Sequence, residues 1–459
     1  MNATVAAPQG RKTTFTYLLA ALAGLMFGLD IGVISGAEQF IQTEFHISDN
    51  YIEWIVSIMM WGAATGAAGA GWLSSSLGRR RTLIISAALF VIGSVLCAFA
   101  WSPAFLLVAR FLLGIAIGVA AFTAPLYLAE VAPQETRGAM ISMYQLMITI
   151  GILGAFLSNL WFSQHGEWRW MLGVIAIPGA LFLIGVLRLP ESPRWLVMRG
   201  RSEEARDVLH HLRSDEAAVD REVTDIQEQL KIPQRGWHMF LQNRNFRRSV
   251  GLGVLLQVVQ QLTGINVIMY YAPRIFMHVG FGVNAQMWAT VIVGVTNVLA
   301  TFIAIAFVDR IGRKPILYAG FLVMAAGLGA VGTMMNMGTL TQGEQIFTVC
   351  MLLVFIVGFA MSAGPLVWAI CSEIQPLKGR DFGIGVSTLT NWVANAIVGL
   401  TFLSLLNGIG AAQTFWLYGG LNILFLLFTI WFVPETKGVS LEQIERNLMA
   451  GKPLRRIGS

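Results

Sequence analysis

Apolar residues run through this chain in long blocks rather than in alternation. Twelve largely apolar blocks, at 15–36, 51–74, 82–101, 104–129, 139–161, 168–188, 249–277, 286–308, 316–337, 346–372, 382–406 and 413–433, are each long enough to cross a hydrocarbon core about 30 Å thick as a helix. They lack the polar face that a helix on the surface of a soluble protein would carry. The pattern predicts an all-α membrane protein of twelve transmembrane helices in two six-helix halves. The first half covers residues 1–188 and the second 249–433, with a polar linker at 189–248 and a tail at 434–459. In the linker, Ser202-Glu203-Glu204 opens a charged stretch that continues to Leu230. This predicts short amphipathic helices lying under the membrane domain, too few residues for a separate catalytic domain. The block at 15–36 follows Arg11 and Lys12 but is too long for the apolar region of a signal peptide, so it reads as a retained first helix.

Charge then sets the expected orientation. Hydrophobic residues make up 56% of the chain and charged ones 12%, about half the usual charge density of a soluble protein. Of the 31 Lys and Arg residues, 28 fall in the termini, the linker and every second loop. Only Arg110, Arg169 and Arg274 lie elsewhere, and by the positive-inside rule both termini are expected in the cytoplasm. The net charge of +6 is thereby explained by topology, without a nucleic-acid partner. Cys97, Cys350 and Cys371 lie in or beside apolar blocks and read as packing residues.

Three short motifs occur twice at equivalent loops. Leu77-Gly78-Arg79-Arg80 is matched by Ile311-Gly312-Arg313-Lys314, the pair Glu130 and Arg137 by Glu373 and Arg380 with the same spacing, and Pro190-Glu191-Ser192 by Pro434-Glu435-Thr436. Six crossings separate the copies, so both halves enter the membrane in the same sense, a parallel repeat with a pseudo-two-fold axis. Arg79 and Arg313 are placed to reach helix C-termini and the acids Glu130 and Glu373, forming latches that hold the cytoplasmic side shut. The first copy has Ser75 four residues after Gly71, whereas the second has Asp309, which predicts that the second latch is the more complete.

Ionisable groups within a span mark function by default. Asp30 and Arg110 are expected at matching depth, each about 9 Å from the outer end of its helix. Desolvation and a neighbouring guanidinium act on such a carboxyl in opposite directions, so its proton occupancy can depend on which side of the protein is open. Gln145, Gln260, Gln261, Asn266, Asn297 and Asn391 add uncharged amides, which match the hydroxyls of a sugar. Trp368 and Trp392 supply indole faces for its C–H surface. Gly364-Pro365 predicts a break in the tenth span, just before Trp368, that serves as a gate. The pairs Gly62/Gly66 and Gly114/Gly118 are expected to serve close packing. Gly280, Gly282 and Ala285 follow a membrane helix rather than a strand and do not form a dinucleotide site, and His210-His211 has no partners at metal-ligand spacing. The chain holds no nucleophile elbow, phosphate-binding loop or zinc signature, so an enzyme or nucleotide-driven pump is not expected.

Gly78-Arg79-Arg80-Arg81, Pro190-Glu191-Ser192-Pro193-Arg194, Gln260-Gln261-Leu262-Thr263-Gly264-Ile265-Asn266 and Pro434-Glu435-Thr436-Lys437-Gly438 together resemble the sugar porter family of the major facilitator superfamily over essentially the whole chain. Ser142 to Met147 and Cys371 to Pro376 are most similar to its bacterial proton-coupled carriers of galactose and arabinose. The resemblance implies the major facilitator fold and proton symport of D-galactose or D-glucose ahead of L-arabinose in a bacterial inner membrane, with a passive hexose facilitator as the alternative and a transporter-like sugar sensor as a remote one; a monomer is expected. It implies no cofactor beyond the coupling proton. Asp30 would be the proton site with Arg110 its partner, and Gln145, Gln260, Gln261, Asn266, Asn297, Trp368, Asn391 and Trp392 would contact the sugar. Ile152 stands where some xylose-selective relatives have glutamine, which argues against a xylose-specific site.

Overall fold

The computed structural model describes residues 11–132, 137–213, 216–231, 236–338 and 340–458, with the side chains of 11–21, 137–142, 217–218 and 305–310 outside the description. Among the described residues every element is helical. The first half contains α1 (Arg11–Phe45), α2 (Asp49–Leu77), α3 (Arg79–Ala98), α4 (Pro103–Val131), α5 (Arg137–Ser163), α6 (Trp168–Gly173) and α7 (Ala176–Val186). The linker forms α8 (Pro193–Met198), α9 (Ser202–Leu212), α10 (Glu216–Leu230) and α11 (Gly236–Gln242). The second half contains α12 (Arg244–Leu262), α13 (Ile265–Val279), α14 (Val283–Ile311), α15 (Arg313–Asn336), α16 (Gln342–Met361), α17 (Ala363–Glu373), α18 (Arg380–Ile409) and α19 (Ala411–Phe432), followed by α20 (Leu441–Met449) in the tail.

Eleven stretches among the described residues are apolar and long enough to cross a membrane. The twelfth expected span, 51–74, is helical throughout as part of α2 but falls short in hydropathy. Ser57, Gly62, Ala63, Ala64, Gly66, Ala70 and Ser74 are buried against protein rather than facing lipid, because α2 is packed between α4 and α18. A Cβ added at Gly62 would lie 2.2 Å from the Phe111 carbonyl oxygen, and one at Gly114 2.0 Å from that of Met59. Gly66 and Gly118 are equally tight, so these glycines bring the two backbones into contact as expected. The pairing of α1 with α5 repeats the device, with Gly28 against the Ile148 carbonyl and Gly32 against Ala155 and Ile152.

Three crossings are broken. The sixth is interrupted at Val174–Ile175 between α6 and α7, where Pro178 faces the carbonyl four residues back. The seventh, expected as one span, divides at Thr263–Gly264, because Gly264 takes the left-handed conformation (φ 97°) that a residue with a Cβ avoids. The tenth breaks as the sequence suggested, but at Ser362 (φ −129°, ψ −89°) rather than at Gly364-Pro365. The Pro365 ring would clash with the carbonyl of Met361, so the helix ends there and Pro365 sits in the first turn of α17. One boundary also moves: α1 runs to Phe45, not Gly36, because Glu38 and Gln42 are satisfied by protein partners and do not form a loop.

The linker and the chain end lie at the same end of the bundle. Helices α9 and α10 bury Leu209, Val219 and Val223 against each other. Residues Ile444, Leu448 and Ile457 of the tail are fully or almost fully buried, and Asn245 at the start of α12 donates to the Met449 carbonyl at 3.0 Å.

Candidate transport site

Close approach of α2 to α4 places a guanidinium inside the first half. Arg110 is completely buried, and its Nε donates to the Ile55 carbonyl of α2 at 2.7 Å. Its Nη1 lies 3.5 Å from Asp30 Oδ1, and both side chains are fully buried. Neither carboxylate oxygen of Asp30 and neither terminal nitrogen of Arg110 makes a hydrogen bond. The two residues meet as the sequence suggested, but the depth argument needs correcting for α1. Asp30 lies fifteen residues before the end of that helix, about 22 Å at 1.5 Å per residue. The arrangement is an ion pair in contact but not locked by a hydrogen bond, so a proton could be taken up by the carboxyl without first breaking one.

The second half holds the amides. Asn391 Nδ2 on α18 donates to both Gln257 Oε1 (2.7 Å) and Gln260 Oε1 (2.8 Å) on α12. Gln260 Nε2 donates in turn to the carbonyls of Ala363 (2.9 Å) and Gly364 (3.1 Å). Those carbonyls belong to the first turn of α17, so the helix break is tied directly to the amide cluster. Asn266 donates to Gln261 Oε1 at 2.5 Å across the break between α12 and α13. Each amide keeps further capacity: Asn391 Oδ1, Gln261 Nε2 and Asn266 Oδ1 have no partner among the described residues. Asn297 on α14 is nearly buried, and its side chain also makes no hydrogen bond there.

The remaining predicted groups are less tightly gathered. Trp392 is buried on α18 and packs its ring 5.1 Å from Phe27 of α1, joining the two halves beside the amides. Trp368 on α17 is 37% exposed and meets no other ring among the described residues. Gln145 is half-buried on α5, and no hydrogen bond ties it to the amides of α12 and α18. Sequence reasoning missed Gln257 and Phe27. Gln257 stands one turn before Gln260 on the same helix and was detectable by that spacing.

At the linker end each half carries a charge cluster. Arg79 forks onto Glu130, with Nε to Oε2 and Nη2 to Oε1 both at 2.8 Å. Glu191 Oε1 accepts from the backbone N–H of Arg79, Arg80 and Ser192 at 2.9 to 3.0 Å, filling the N-terminus of α3. In the second half Arg313 Nη2 meets Glu373 Oε1 at 3.1 Å, and Glu435 accepts from the backbone N–H of Arg313, Lys314 and Lys437. Burial pushes the Glu435 carboxyl up, but the backbone N–H groups of Lys314, Arg313, Lys437 and Thr436 outweigh it and hold the carboxyl below its ordinary value. Ser192 and Thr436 complete the symmetry by donating to Glu130 (2.6 Å) and Glu373 (2.5 Å). These four Pro-Glu-Ser/Thr residues were legible as a repeat, but their role as helix caps was not.

None of these contacts joins the first half to the second: each ties helix ends of one half to each other or to the linker or tail segment that follows it, whereas the latch expected from the sequence would close one side of the protein. Arg380 donates to the Gln375 carbonyl at 3.4 Å, again within its own half. The side chains of Arg137 and Asp309 lie outside the described residues, and with Asp309 the expectation of a more complete second latch. Where the first half has Ser75, its carbonyl accepts instead from Trp195 Nε1 (2.8 Å) and Arg199 (3.2 Å) of the α8 segment.

Comparison with known proteins agrees with this geometry. A family model described as "Sugar (and other) transporter" matches residues 16–448. The chain is 62% identical to the galactose-proton symporter of Escherichia coli K12 over 456 residues, covering 98% of each protein. It is 55% identical to that organism's arabinose-proton symporter, covering 98% of this chain and 96% of the other. The xylose transporter XylE of E. coli in a partially occluded inward open conformation superposes with a TM-score of 0.83 at 30% identity, covering 94% of this chain and all of that one. The proton:xylose symporter bound to 6-bromo-6-deoxy-D-glucose gives 0.78 at 31% identity, covering 97% and 98%. With repeated charge clusters, a buried ion pair in one half and an amide cluster in the other, the chain is a multi-pass membrane transporter rather than an enzyme, and it belongs to the sugar transporter family of the major facilitator fold.

Proposed function

We propose that this protein imports a monosaccharide, D-galactose or D-glucose ahead of L-arabinose, together with a proton across a bacterial inner membrane. In this reading the linker and both termini are cytoplasmic, residues 1–188 and 249–433 are the two rocking halves, and the transporter works as a monomer. The proton is the coupling ion and no cofactor takes part. Lipid surrounds the exposed aromatic and aliphatic side chains of the outer helix faces. Gln257 and Asn297 join Gln145, Gln260, Gln261, Asn266, Asn391, Trp368 and Trp392 around the sugar, and Phe27 closes on it from the first half.

The observation that carries the symport reading is the Asp30–Arg110 pair, buried and in contact but with four polar atoms lacking hydrogen bonds. A neutral Asp30 no longer attracts Arg110, which remains fixed to α2 through the Ile55 carbonyl. Protonation therefore loosens α1 from α4, and α1 carries Phe27 to the sugar side. A ligand that binds one conformation better shifts the population toward it, so sugar and proton favour the same state through this helix.

The test is sugar-induced alkalinisation of the medium by cells or right-side-out vesicles. Wild type should take up protons with galactose and accumulate it, whereas Asp30→Asn should exchange labelled galactose without uphill accumulation. Uphill uptake by Asp30→Asn equal to wild type would overturn the proton assignment. Competition of labelled galactose by unlabelled glucose, arabinose and xylose ranks the substrates, with xylose expected to compete least.

A further inference from the structure

Among the described residues, the side-chain hydrogen bonds that join the two halves lie at one end, opposite the linker. Arg274 of α13 reaches into the first half, where its Nε donates to Glu38 Oε1 of α1 at 2.9 Å and its Nη2 contacts Glu38 Oε2. The same guanidinium donates to Gln42 Oε1 (2.7 Å) and to Asp49 Oδ1 at the start of α2 (2.8 Å). Asp49 Oδ2 then accepts from Asn407 of α18 at 2.7 Å. One turn deeper, Glu53 of α2 accepts from both the backbone N–H (2.8 Å) and the hydroxyl (2.6 Å) of Ser404. Among the described residues, no side-chain hydrogen bond links the halves at the linker end.

Three features mark this network as a movable contact and not as packing. Its central charge pair is sequestered, with the Glu38 side chain fully buried and that of Arg274 8% exposed, while Asp49 at the rim is 30% exposed. They would have to be rehydrated if the halves parted, and water supplies that hydration. Arg274 also follows a non-helical residue, Tyr271 (φ −121°, ψ 19°), and Pro273. Finally, α13 lies between two glycines in left-handed conformation, Gly264 and Gly280, so the segment bearing Arg274 has a hinge at each end.

We propose that Arg274, Glu38, Gln42 and Asp49, with Glu53–Ser404 and Asp49–Asn407, form an ionic outer gate that holds the transporter inward-facing and must be broken each time it opens outward. A buried ion pair contributes little net stability once desolvation is counted, but leaving one partner buried and unpaired is costly. Such a pair therefore acts as a switch: stable when closed, and equally tolerable when fully open to water. Glu38 lies two turns beyond Asp30 on the same helix α1, so opening the gate and loosening the Asp30–Arg110 pair move one rigid element.

This inference rests on the membrane orientation proposed above, and the experiment separates the two. Ser57 is buried at the seam of α2 and α18, with its Cβ 3.8 Å from where a side chain at Gly399 would begin. A Ser57→Cys reporter is placed in a Cys350→Ser background, since Cys97 and Cys371 are buried. Its reaction with a membrane-impermeant maleimide is timed in right-side-out and in inside-out vesicles. The side from which it reacts reports orientation; the change on mutation reports the gate. Arg274→Gln should raise the rate about tenfold, and Asn407→Ala, at the exposed rim, about two- to threefold. The half-saturation for external galactose should fall in the same order. Unchanged labelling in an Arg274→Gln protein that still binds galactose would overturn the gate. If Arg274→Gln does not reach the membrane, unchanged labelling in both Asn407→Ala and Ser404→Ala would overturn it instead.

Discussion

The two ends of the molecule use the same chemistry for opposite purposes. At the linker end, Arg79–Glu130–Glu191 and Arg313–Glu373–Glu435 each bind helix ends inside one half, and the pattern is duplicated. At the far end, Arg274 with Glu38 and Asp49 binds one half to the other, and the pattern occurs once. In the proposed transport cycle the repeated clusters stiffen the bodies that move, and the single cluster marks where they separate. An ion pair inside a rigid half has no conformation in which it can be relieved by water. One between halves has.

That contrast can be broken most severely at Arg79. Replacing it by alanine leaves Glu130, whose side chain is 5% exposed, without its fork partner inside a body that cannot open. Loss of one partner of a buried pair costs about 3–5 kcal/mol, so Arg79→Ala should unfold many degrees lower in detergent and yield little transporter. Arg274→Gln removes a guanidinium with at least as many hydrogen bonds but can relax by opening, and its unfolding temperature should lie within a few degrees of wild type. Equal destabilisation of the two variants, measured by thermal unfolding of purified protein, would remove the distinction.

A second contrast sets the charged pair of the first half against the amides of the second. Asn391→Ala leaves the Gln257 and Gln260 carbonyl oxygens without their shared donor, on the same Gln260 amide that holds the α17 turn. Unsatisfied buried groups cost about 1–3 kcal/mol, so the half-saturation for galactose should rise about ten- to a hundredfold. The number of protons moved per sugar should not change, because Asp30 and Arg110 are untouched. A variant that binds galactose normally but loses coupling would reverse the assignment of roles.

The sequence reveals these regions unequally. Long apolar blocks and the Gly-Arg, Glu-x6-Arg and Pro-Glu repeats are local signals, and they specify twelve helices and the duplicated clusters directly. Asp30 and Arg110 stand out because charge within an apolar run is rare. The far-end gate was hidden, since Glu38, Gln42 and Asp49 follow a glycine at the apparent end of a span and read as a loop. Only their burial against Arg274, more than 220 residues away, shows that α1 continues through them. The amide cluster was legible as composition, but the tie from Gln260 to the α17 carbonyls depends on where Pro365 breaks the helix, which the Gly-Pro pair placed two residues too late.

The smallest predicted effect tests the duplicated end through pH. Glu435 is held below the ordinary carboxylate value, since four backbone N–H bonds outweigh its burial. A carboxyl with a depressed folded pKa contributes stability that is fully present above its unfolded pKa, about 4.3, and is lost as pH falls through the folded value. Glu435→Gln keeps an acceptor oxygen but not the charge, and should lower the unfolding temperature by about 2–4 °C at pH 7. The difference from wild type should stay constant down to about pH 5, narrow below the unfolded pKa and close below the folded one. A gap that instead widens on acidification would mean that the neutral carboxyl is the form that caps α15. The Pro-Glu-Thr cluster would then be a proton-sensitive hinge rather than part of a stiff half.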